Sequence, residues 1–305
     1  MGEFNFPIQS ITVNGQTKID VLRLDLIHPL YGGNKCFKLK YNIEDFKHSR
    51  KKAVLTFGGA HSNHIYSTAA YCYENSIPVI GVIRGEEEME SQSPTLQFSV
   101  KHNMQLIFVS REAYSKKEQK DFLERLNLRE DEIYVIPEGG NNELGIKGCQ
   151  EMIPKDSDYD FVFCACGTAC TYSGILASVD NTTKVIGISV LKGDNQLIED
   201  VNANLSKIGR KVFPDVEGHL NQSTILNSYH FGGYARHTNE LIEFKSKFET
   251  RYNMPLDYVY TSKLFYAVFN LIENNKIPAN SRVAVIHSGG QQGNEGYERR
   301  YKINA

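Results

Sequence analysis

Short runs of apolar residues alternate along this chain with longer segments whose apolar residues recur at helical spacing. The runs predict buried strands, because a strand covered on both faces reads as a nearly continuous apolar stretch. The predicted strands are residues 10–13, 20–26, 53–57, 78–84, 106–110, 133–136, 161–166, 185–190 and 283–286. The predicted helices are residues 39–47, 62–75, 95–102, 115–126, 144–152, 171–179, 195–208, 240–252 and 263–274.

Strands that alternate with helices of this length are typical of an α/β protein, in which parallel sheets are flanked by helices. The 305-residue length suggests about two domains. Neither an internal repeat nor a low-complexity linker occurs, so we expect any second domain to be inserted in the first. Residues from about 210 to 237 show neither the apolar runs of strands nor the helical spacing of apolar residues, and they are predicted to be irregular.

Composition and charge narrow the class of protein. Hydrophobic residues make up 41% of the chain and charged residues 23%, as in ordinary globular proteins. The net charge of −2 gives no reason to expect nucleic acid or a membrane surface as a partner. No apolar run approaches the roughly 18 residues of a membrane span, and no secretory signal is recognisable. We therefore expect a cytoplasmic protein.

The six cysteines are interpreted as reduced thiols, as expected in a chain of this size. Cys164, Cys166 and Cys170 lie close together in the sequence. Their C-x-C-x3-C spacing matches no common zinc site, so we predict no bound metal.

The octapeptide GGNKCFKL (residues 32–39) places Lys35 on a predicted turn before a helix. A lysine on a turn can be held inside a pocket, where burial lowers the pKa of the amine and makes it a nucleophile or base. Alone, the octapeptide fits an ordinary surface charge as well. The motifs further along the chain favour the functional interpretation.

Three predicted strand ends carry glycines and polar residues, and ligands in open α/β sheets bind at the carboxyl ends of strands. The segment GGAHSNH (residues 58–64) suits a carboxylate, although helix capping by Ser62 or Asn63 explains part of it. The segment GTACT (residues 167–171) suits a phosphate at a helix N-terminus. The segment HSGG (residues 287–290) is the third polar strand end.

The GTACT segment is neither a P-loop nor a dinucleotide fingerprint, so we expect a small monophosphate there. Tyr234 and Tyr260 lie in loop or turn context before helices, although in a chain with 17 tyrosines packing alone is a common role. One lysine, one phosphate loop, one carboxylate-binding segment and two phenols together indicate an amino acid joined to a phosphorylated aldehyde cofactor.

The motifs together resemble the fold type II (tryptophan-synthase-β-like) enzymes that use pyridoxal 5′-phosphate. Within that group they are most similar to D-cysteine desulfhydrase and 1-aminocyclopropane-1-carboxylate (ACC) deaminase. The resemblance runs from about residue 22 to residue 297. It is carried, in the family's order, by GGNKCFKL, FGGAHSNH, PEGGNNELGIKG, CGTACT, FGGYA, LDYVYTSK and IHSGG.

The resemblance implies a role for each matching residue. Lys35 is expected to carry the cofactor and to move the substrate's α-proton, with Lys38 as the less favoured alternative because it lies in the helix pattern. Ser62, Asn63 and His64 are expected to bind the substrate carboxylate, and Asn63 also to contact the cofactor's phenolic oxygen. The remaining expected site residues are the phosphate loop Gly167, Thr168, Ala169, Cys170 and Thr171, the substrate-facing Tyr234 and Tyr260, and Thr261 and Ser288 near the pyridine nitrogen.

Departures from the family pattern bear on the substrate more than on the cofactor. Ala169 and Cys170 stand where the phosphate loop usually has glycines, which could tighten the cradle. Phe37 stands where an arginine is usual, and His64 stands where a glutamine is usual.

The side chains expected near the pyridine nitrogen indicate the reaction. The similar cyclopropane deaminases carry a glutamate at the position of Thr261 and a leucine at that of Ser288. A carboxylate keeps the ring nitrogen protonated and strongly electron-withdrawing, whereas hydroxyls leave it neutral. A ring with a neutral nitrogen withdraws electrons less strongly, which suits α,β-elimination, in which the carbanion expels its β-substituent.

We therefore predict a pyridoxal-phosphate lyase that acts on a small amino acid, D-cysteine for example, and yields pyruvate, ammonia and sulfide. Either Lys35 or a tyrosine phenoxide is expected to remove the α-proton. The alternatives are an ACC deaminase, a D-amino-acid dehydratase or racemase, and a catalytically silent binding protein for pyridoxal phosphate or an amino acid. We expect residues 1–40 and 151–305 to form a larger cofactor-binding domain and residues 41–150 a smaller inserted α/β domain. The resemblance also implies a homodimer.

Overall fold

The computed structural model describes residues 4–86, 93–193, 195–210 and 220–303, and within them ten strands form two sheets. The strands are β1 Ile8–Val13, β2 Thr17–Arg23, β3 Ala53–Gly59, β4 Val79–Arg84, β5 Met104–Val109, β6 Ile133–Ile136, β7 Phe161–Cys166, β8 Lys184–Ser189, β9 Thr224–Leu226 and β10 Val283–His287. The helices of these ranges are α1 Asn34–His48, α2 Asn63–Glu74, α3 Pro94–Lys101, α4 Arg111–Ser115, α5 Phe122–Arg125, α6 Glu143–Cys149, α7 Cys170–Ser178, α8 Asn195–Lys207, α9 Asn239–Tyr252, α10 Thr261–Glu273 and α11 Asn294–Tyr301.

The larger sheet has the strand order β1-β2-β10-β7-β8-β9. Only the edge strand β1 is antiparallel to its neighbour, and every other pairing in the sheet is parallel. Strand β7 is buried at every position, because an apolar core lies on each face of the sheet. The α/β class predicted from apolar runs is therefore confirmed.

The smaller sheet has the order β5-β4-β3-β6, and all of its pairings are parallel. Its strands lie within the segment 41–150, between strands of the larger sheet along the chain. Helix α6 belongs to the same segment, yet Ile146 and Cys149 pack into a core of the larger sheet. The domain limits at 40/41 and 150/151 remain a prediction.

Helix α1 begins earlier than its hydrophobic period predicts. The structure starts it at Asn34, with Gly33 as the N-cap at φ 103°, so Lys35 lies in the first helical turn. The prediction that Lys35 lies on a turn is therefore wrong, because Lys35 is already helical. The residue with the non-helical backbone is Gly33, directly before the helix. Glycine reaches that left-handed φ without a steric penalty, which lets the helix begin abruptly.

Other element predictions are wrong at specific places. The strand expected over 20–26 ends at Arg23, and Leu24–Leu26 forms a 3-10 turn. Over the range 115–126, where one helix is expected, the structure has only the last residue of α4 and the short helix α5, because residues 115–120 contain no apolar side chain to pack against the sheet. The stretch 210–237 contains strand β9, while its residues 211–219 lie outside the described ranges.

No helix in the described part of the chain combines the length and the apolar content that crossing a membrane requires. The carboxyl ends of β3, β7 and β10 lead into the polar segments that the sequence singles out. The functional site is built around those ends.

Candidate active site

A cavity lies where the segments after β7 and β10 meet the first turns of α1 and α2. The predicted site residues that line it are Lys35, Asn63, Gly167, Thr168, Thr171, Tyr260 and Ser288. The predicted site residues outside this lining are Ser62, His64, Ala169, Cys170, Tyr234 and Thr261. None of the described lining residues is an aspartate or a glutamate. The cavity is therefore a polar pocket with amines, amides and hydroxyls but without an acid.

Lys35 provides the reactive amine of this pocket. Its side chain is half-buried, and its Nζ donates a hydrogen bond of 2.9 Å to Asn34 Oδ1. Burial and the nearby charge of Lys38 lower the pKa of Lys35 to about 7. A large fraction of the amine is therefore unprotonated at neutral pH, as a nucleophile or a base requires.

Lys38, one turn further along α1, has a different environment from the one the sequence suggests. Its side chain is only 2% exposed, and its Nζ lies 3.4 Å from Thr168 Oγ1 in the predicted phosphate loop. A buried ammonium at that loop provides positive charge for an anion. The spacing of three residues from Lys35, which puts both amines on one helix face, is the sequence signal for this arrangement.

The predicted phosphate loop leads into helix α7, which has Ala169 as its N-cap and no side-chain capping bond. The first N–H groups of this helix therefore have no side-chain acceptor, and a bound anion would satisfy them. The Thr171 hydroxyl accepts a hydrogen bond of 3.1 Å from Asn34 Nδ2, which joins the loop to helix α1. At Gly167 a Cβ atom would lie 2.7 Å from the Tyr260 ring, so this position requires glycine.

Ala169 and Cys170 are fully buried in a core of the larger sheet, away from the cavity lining. The thiol of Cys170 donates to the Gly140 carbonyl oxygen at 3.3 Å. The expectation that these side chains narrow the cradle is therefore not met, because the methyl and the thiol point into the core and only the backbone belongs to the loop.

The GGAHSNH segment begins helix α2. Ser62 is its N-cap, and the serine Oγ accepts from the Ile65 N–H at 3.3 Å. Asn63 lines the cavity, and its Oδ1 accepts a 3.1 Å hydrogen bond from Gln292 Nε2. The segment thus presents a helix N-terminus to the pocket, a location suited to a carboxylate.

His64 is buried behind this segment as a neutral imidazole. The Thr56 hydroxyl donates to the Ile136 carbonyl oxygen at 2.9 Å, so it accepts the 2.8 Å hydrogen bond from His64 Nε2. The proton on Nε2 leaves Nδ1 as an acceptor, and that buried atom has no hydrogen-bond partner. Burial, followed by the charges of Lys35 and Lys38, holds the pKa of His64 well below its usual value.

The two predicted tyrosines meet at the edge of the pocket. Tyr260 lines the cavity, and the ring of Tyr234, 49% exposed, stands edge-on to it at a centroid distance of 6.2 Å. Burial raises the pKa of both phenols. The neighbouring Tyr260 offsets part of the rise in the pKa of Tyr234. Both phenols therefore carry their protons at neutral pH.

Thr261 lies outside the lining because a buried aspartate holds it. Its Oγ1 donates to Asp257 Oδ1 at 2.7 Å. Asp257 also accepts the backbone N–H groups of Val259, Tyr260 and Thr261 at 2.7–2.9 Å. These four bonds occupy the acceptor sites of a carboxylate. Sequence reasoning missed Asp257, although an acidic residue four positions before a helix start is a recognisable cap signal.

Ser288 lines the cavity directly after β10 and is held by a buried polar network. The preceding His287 donates from Nε2 to the Pro255 carbonyl oxygen at 2.8 Å, and its Nδ1 lies 3.2 Å from Asp25 Oδ1. On the other side, the Ser288 carbonyl oxygen accepts the Asn34 N–H at 3.2 Å. A Cβ at Gly33 would overlap that carbonyl, so glycine is required where the two segments meet.

Comparisons with known proteins identify relatives of this chain. A family model described as "Pyridoxal-phosphate dependent enzyme" matches residues 7–289. A Pyrococcus furiosus protein named as a putative ACC deaminase is 27% identical over 294 residues, which cover 90% of this chain and 85% of the relative. An Arabidopsis thaliana mitochondrial protein, named bifunctional D-cysteine desulfhydrase/ACC deaminase, is 27% identical over 91% of this chain and 73% of its own length.

Solved structures give the same fold. A crystal structure described as an ACC deaminase homologue has a TM-score of 0.76 and 25% identity, and the match covers 94% of this chain and 90% of that one. A hydrogen sulfide-producing enzyme from Fusobacterium nucleatum has a TM-score of 0.61 at 15% identity, with 94% and 96% covered. The second likeness concerns the fold alone.

Proposed function

Because the chain belongs to the family of pyridoxal-phosphate-dependent enzymes, we propose that it catalyses α,β-elimination on a small amino acid, with D-cysteine as substrate and pyruvate, ammonia and sulfide as products. Its fold is that of the type II enzymes, and its relatives are named as deaminases and desulfhydrases. The observation that carries the proposal is the absence of a carboxylate from the described cavity lining.

The residues of the pocket fit the cofactor. The uncapped start of α7, the hydroxyls of Thr168 and Thr171 and the Lys38 ammonium form a site for its phosphate. Lys35 offers an amine with a lowered pKa to its aldehyde. When bound, pyridoxal phosphate supplies that aldehyde and an electron-withdrawing ring.

The chain's own residues divide the remaining tasks. The N-terminus of α2, with Ser62 and Asn63, binds the substrate carboxylate. Lys35 removes the α-proton, because its pKa of about 7 makes it the available base. Burial keeps the phenol of Tyr260 protonated, so it acts as a proton donor rather than as a phenoxide.

The acid-free lining favours elimination over ring opening. Ser288 lines the cavity and supplies a hydroxyl. The nearby carboxylate of Asp257 already accepts four hydrogen bonds from the start of α10, which leaves it no free site for a ring nitrogen. A hydroxyl partner leaves the nitrogen neutral, and the weaker electron sink suits expulsion of a β-substituent.

ACC deaminase activity is the second candidate, and the names of the relatives favour it. The Pyrococcus furiosus relative is named for that activity, and the Arabidopsis relative for both activities. This reaction would open a cyclopropane ring and yield 2-oxobutanoate. The products therefore separate the two candidates.

The first experiment is an absorbance spectrum of the purified protein, of Lys35→Ala and of the control Lys276→Ala, whose lysine is exposed on the surface. We expect the visible band of a lysine-bound pyridoxal in the wild type and the control and its loss in Lys35→Ala. No band after pyridoxal phosphate is added would remove the basis of the proposal.

The second experiment supplies D-cysteine, L-cysteine, D-serine and ACC separately. Sulfide and pyruvate from D-cysteine support the proposal. Formation of 2-oxobutanoate from ACC without sulfide from D-cysteine would replace it with the deaminase, and inversion of a chiral amino acid without ammonia would indicate a racemase.

The proposal includes a homodimer, for which the family resemblance is the support, and a cytoplasmic location. Light scattering of the purified holoenzyme is expected to give twice the mass of one chain. A mass equal to one chain at micromolar concentration would contradict the dimer, and cell fractionation tests the location.

A further inference from the structure

Tyr234 lies on a loop, residues 230–236, with an unusual backbone. Two successive turns are closed by the Gly233 N–H to the His230 carbonyl oxygen at 3.0 Å and by the Arg236 N–H to the Gly233 carbonyl oxygen at 3.1 Å. The residues with positive φ in this loop are Phe231 (50°), Gly232 (93°), Gly233 (111°) and Ala235 (52°). A left-handed backbone is costly for phenylalanine and alanine, so surrounding contacts must hold the loop in place.

A buried lysine makes the central contact. Lys263 is fully buried in the first turn of α10, and its Nζ donates to the carbonyl oxygens of His230 and Gly233, each at 2.8 Å. These are the same two carbonyls that close the turns. One ammonium therefore ties together both turns, the second of which contains Tyr234.

The position of this charge argues for a specific role. A cation near a helix N-terminus opposes the helix dipole, and burial of an ammonium is unfavourable without partners. Burial lowers the pKa of Lys263 to about 8, while the Asp257 carboxylate raises it, so the ammonium form still prevails at neutral pH. The two loop carbonyls are the hydrogen-bond acceptors that make this charge tolerable.

Helix α10 fixes both phenols at once. Tyr260 is its N-cap residue, and Lys263 follows three positions later. The helix thus presents Tyr260 to the cavity directly and holds Tyr234 through the loop carbonyls. The edge-on contact of the two rings at 6.2 Å depends on this single element.

We propose that Lys263 is a positioning residue for Tyr234: its ammonium fixes the 230–236 loop so that the Tyr234 ring keeps its edge-on contact with Tyr260 at the edge of the cavity. This inference rests on the proposed function only for the use of Tyr234 in turnover. The loop has other supports, because the Tyr301 hydroxyl donates to the Ala235 carbonyl oxygen at 2.8 Å and the Phe231 ring packs on Tyr266. Loss of Lys263 therefore displaces Tyr234 without releasing the whole loop.

The test compares Lys263→Met with Lys245→Met in the holoenzyme. Lys245 is a matched control, because it is buried on α9 but bonds to Glu249 instead of the loop. We expect the amides of 230–236 to exchange at least about tenfold faster in Lys263→Met only, since a hydrogen bond to a charged group is lost. The cofactor band should be retained, and kcat for D-cysteine should fall about 100-fold, the effect of a small misplacement.

A double substitution separates positioning from general stability. If Lys263 acts through Tyr234, the loss in Lys263→Met/Tyr234→Phe equals that of the larger single substitution. Losses that multiply, or loop exchange equal to that of the wild type, would overturn the proposal. If the wild type does not turn over D-cysteine, the proposed function fails, while the exchange measurement still decides the role of Lys263.

A second pair of variants covers the case in which Lys263→Met does not fold. The side chain of glutamine in Lys263→Gln is one methylene longer than that of asparagine in Lys263→Asn. Its amide group can therefore reach towards the loop carbonyls. Slower loop exchange in the Gln variant than in the Asn variant supports the proposal, and equal exchange contradicts it.

Discussion

The buried cap at the start of α10 offers a sharp test of how this site is held. We expect Asp257→Asn to destabilise the protein and to displace Tyr260. The aspartate is 2% exposed, and its two oxygens accept four hydrogen bonds from Val259, Tyr260 and Thr261. Asparagine has one oxygen, and its amino group would face backbone N–H groups instead of accepting from them.

The size of the effect follows from the count of acceptors. The asparagine oxygen can keep two of the four bonds, so two buried donors lose their partner. Each unsatisfied buried donor costs about 1–3 kcal/mol, which gives a loss of about 2–6 kcal/mol in the free energy of unfolding. Oδ2 accepts the N–H groups of Val259 and Tyr260, and Oδ1 accepts the N–H and the hydroxyl of Thr261, so either orientation of the asparagine leaves a donor at the start of α10 without its acceptor. The phenol next to the cavity should therefore move as well.

Urea unfolding of the apoprotein, followed by circular dichroism, measures the loss, and turnover by the reloaded enzyme measures the displacement. Asp180→Asn is the control, because Asp180 also accepts from two backbone N–H groups and a threonine hydroxyl but is exposed, so water can replace it. Its urea midpoint should not change. A loss below about 1 kcal/mol in Asp257→Asn would show that the cap is not what holds this end of the helix.

Two further predictions concern the first turn of α1. Lys35 reacts with pyridoxal phosphate only as the free amine, so its lowered pKa predicts that the rate of cofactor loading by the apoprotein, followed by absorbance, rises up to about pH 7 and is constant above it. Lys38→Met should move the midpoint of this pH profile upward. A rate that still rises towards pH 10, as for an ordinary lysine, would refute the assignment. Gly33→Ala should abolish cofactor retention, because φ is 103° and the methyl would overlap the Ser288 carbonyl. The control Gly193→Ala, also at positive φ but in open space, should retain the cofactor. Equal retention in both variants would contradict the close approach of Gly33 to Ser288.

Much of the fold is encoded in local sequence, because a buried parallel strand needs an apolar run and nothing else. Strands such as Phe161–Cys166 are therefore recognisable from the sequence alone. The helix expected over 115–126 fails for the complementary reason: its hydrophilic stretch 115–120 has no apolar side chain to pack, and the chain turns instead. Strand Thr224–Leu226 is too short to stand out before its parallel partner Lys184–Ser189 is known.

The site is predictable to the extent that glycines and polar residues mark strand ends. Lys35 and Thr171, distant in sequence, do line one cavity. The contact of Lys38 with Thr168 joins residues 130 positions apart, so the Lys35–Lys38 spacing signals a shared helix face but does not identify this partner. Asp257 and Lys263 lie inside the LDYVYTSK motif. The partners of Asp257 are the next few residues along the chain, whereas the role of Lys263 depends on the carbonyl groups of residues 230 and 233, which only the folded chain brings close.

The position of β10 has a consequence for biosynthesis. It is the last strand along the described chain, but it occupies the middle of the larger sheet, between β2 and β7. While the polypeptide emerges from the ribosome, both of these neighbours therefore keep an open edge until residues near 287 are released. Open edges recruit other chains, so a stalled or truncated product is prone to aggregate. The proposed cofactor site, for its part, is complete only after the segment that follows β10 has been translated.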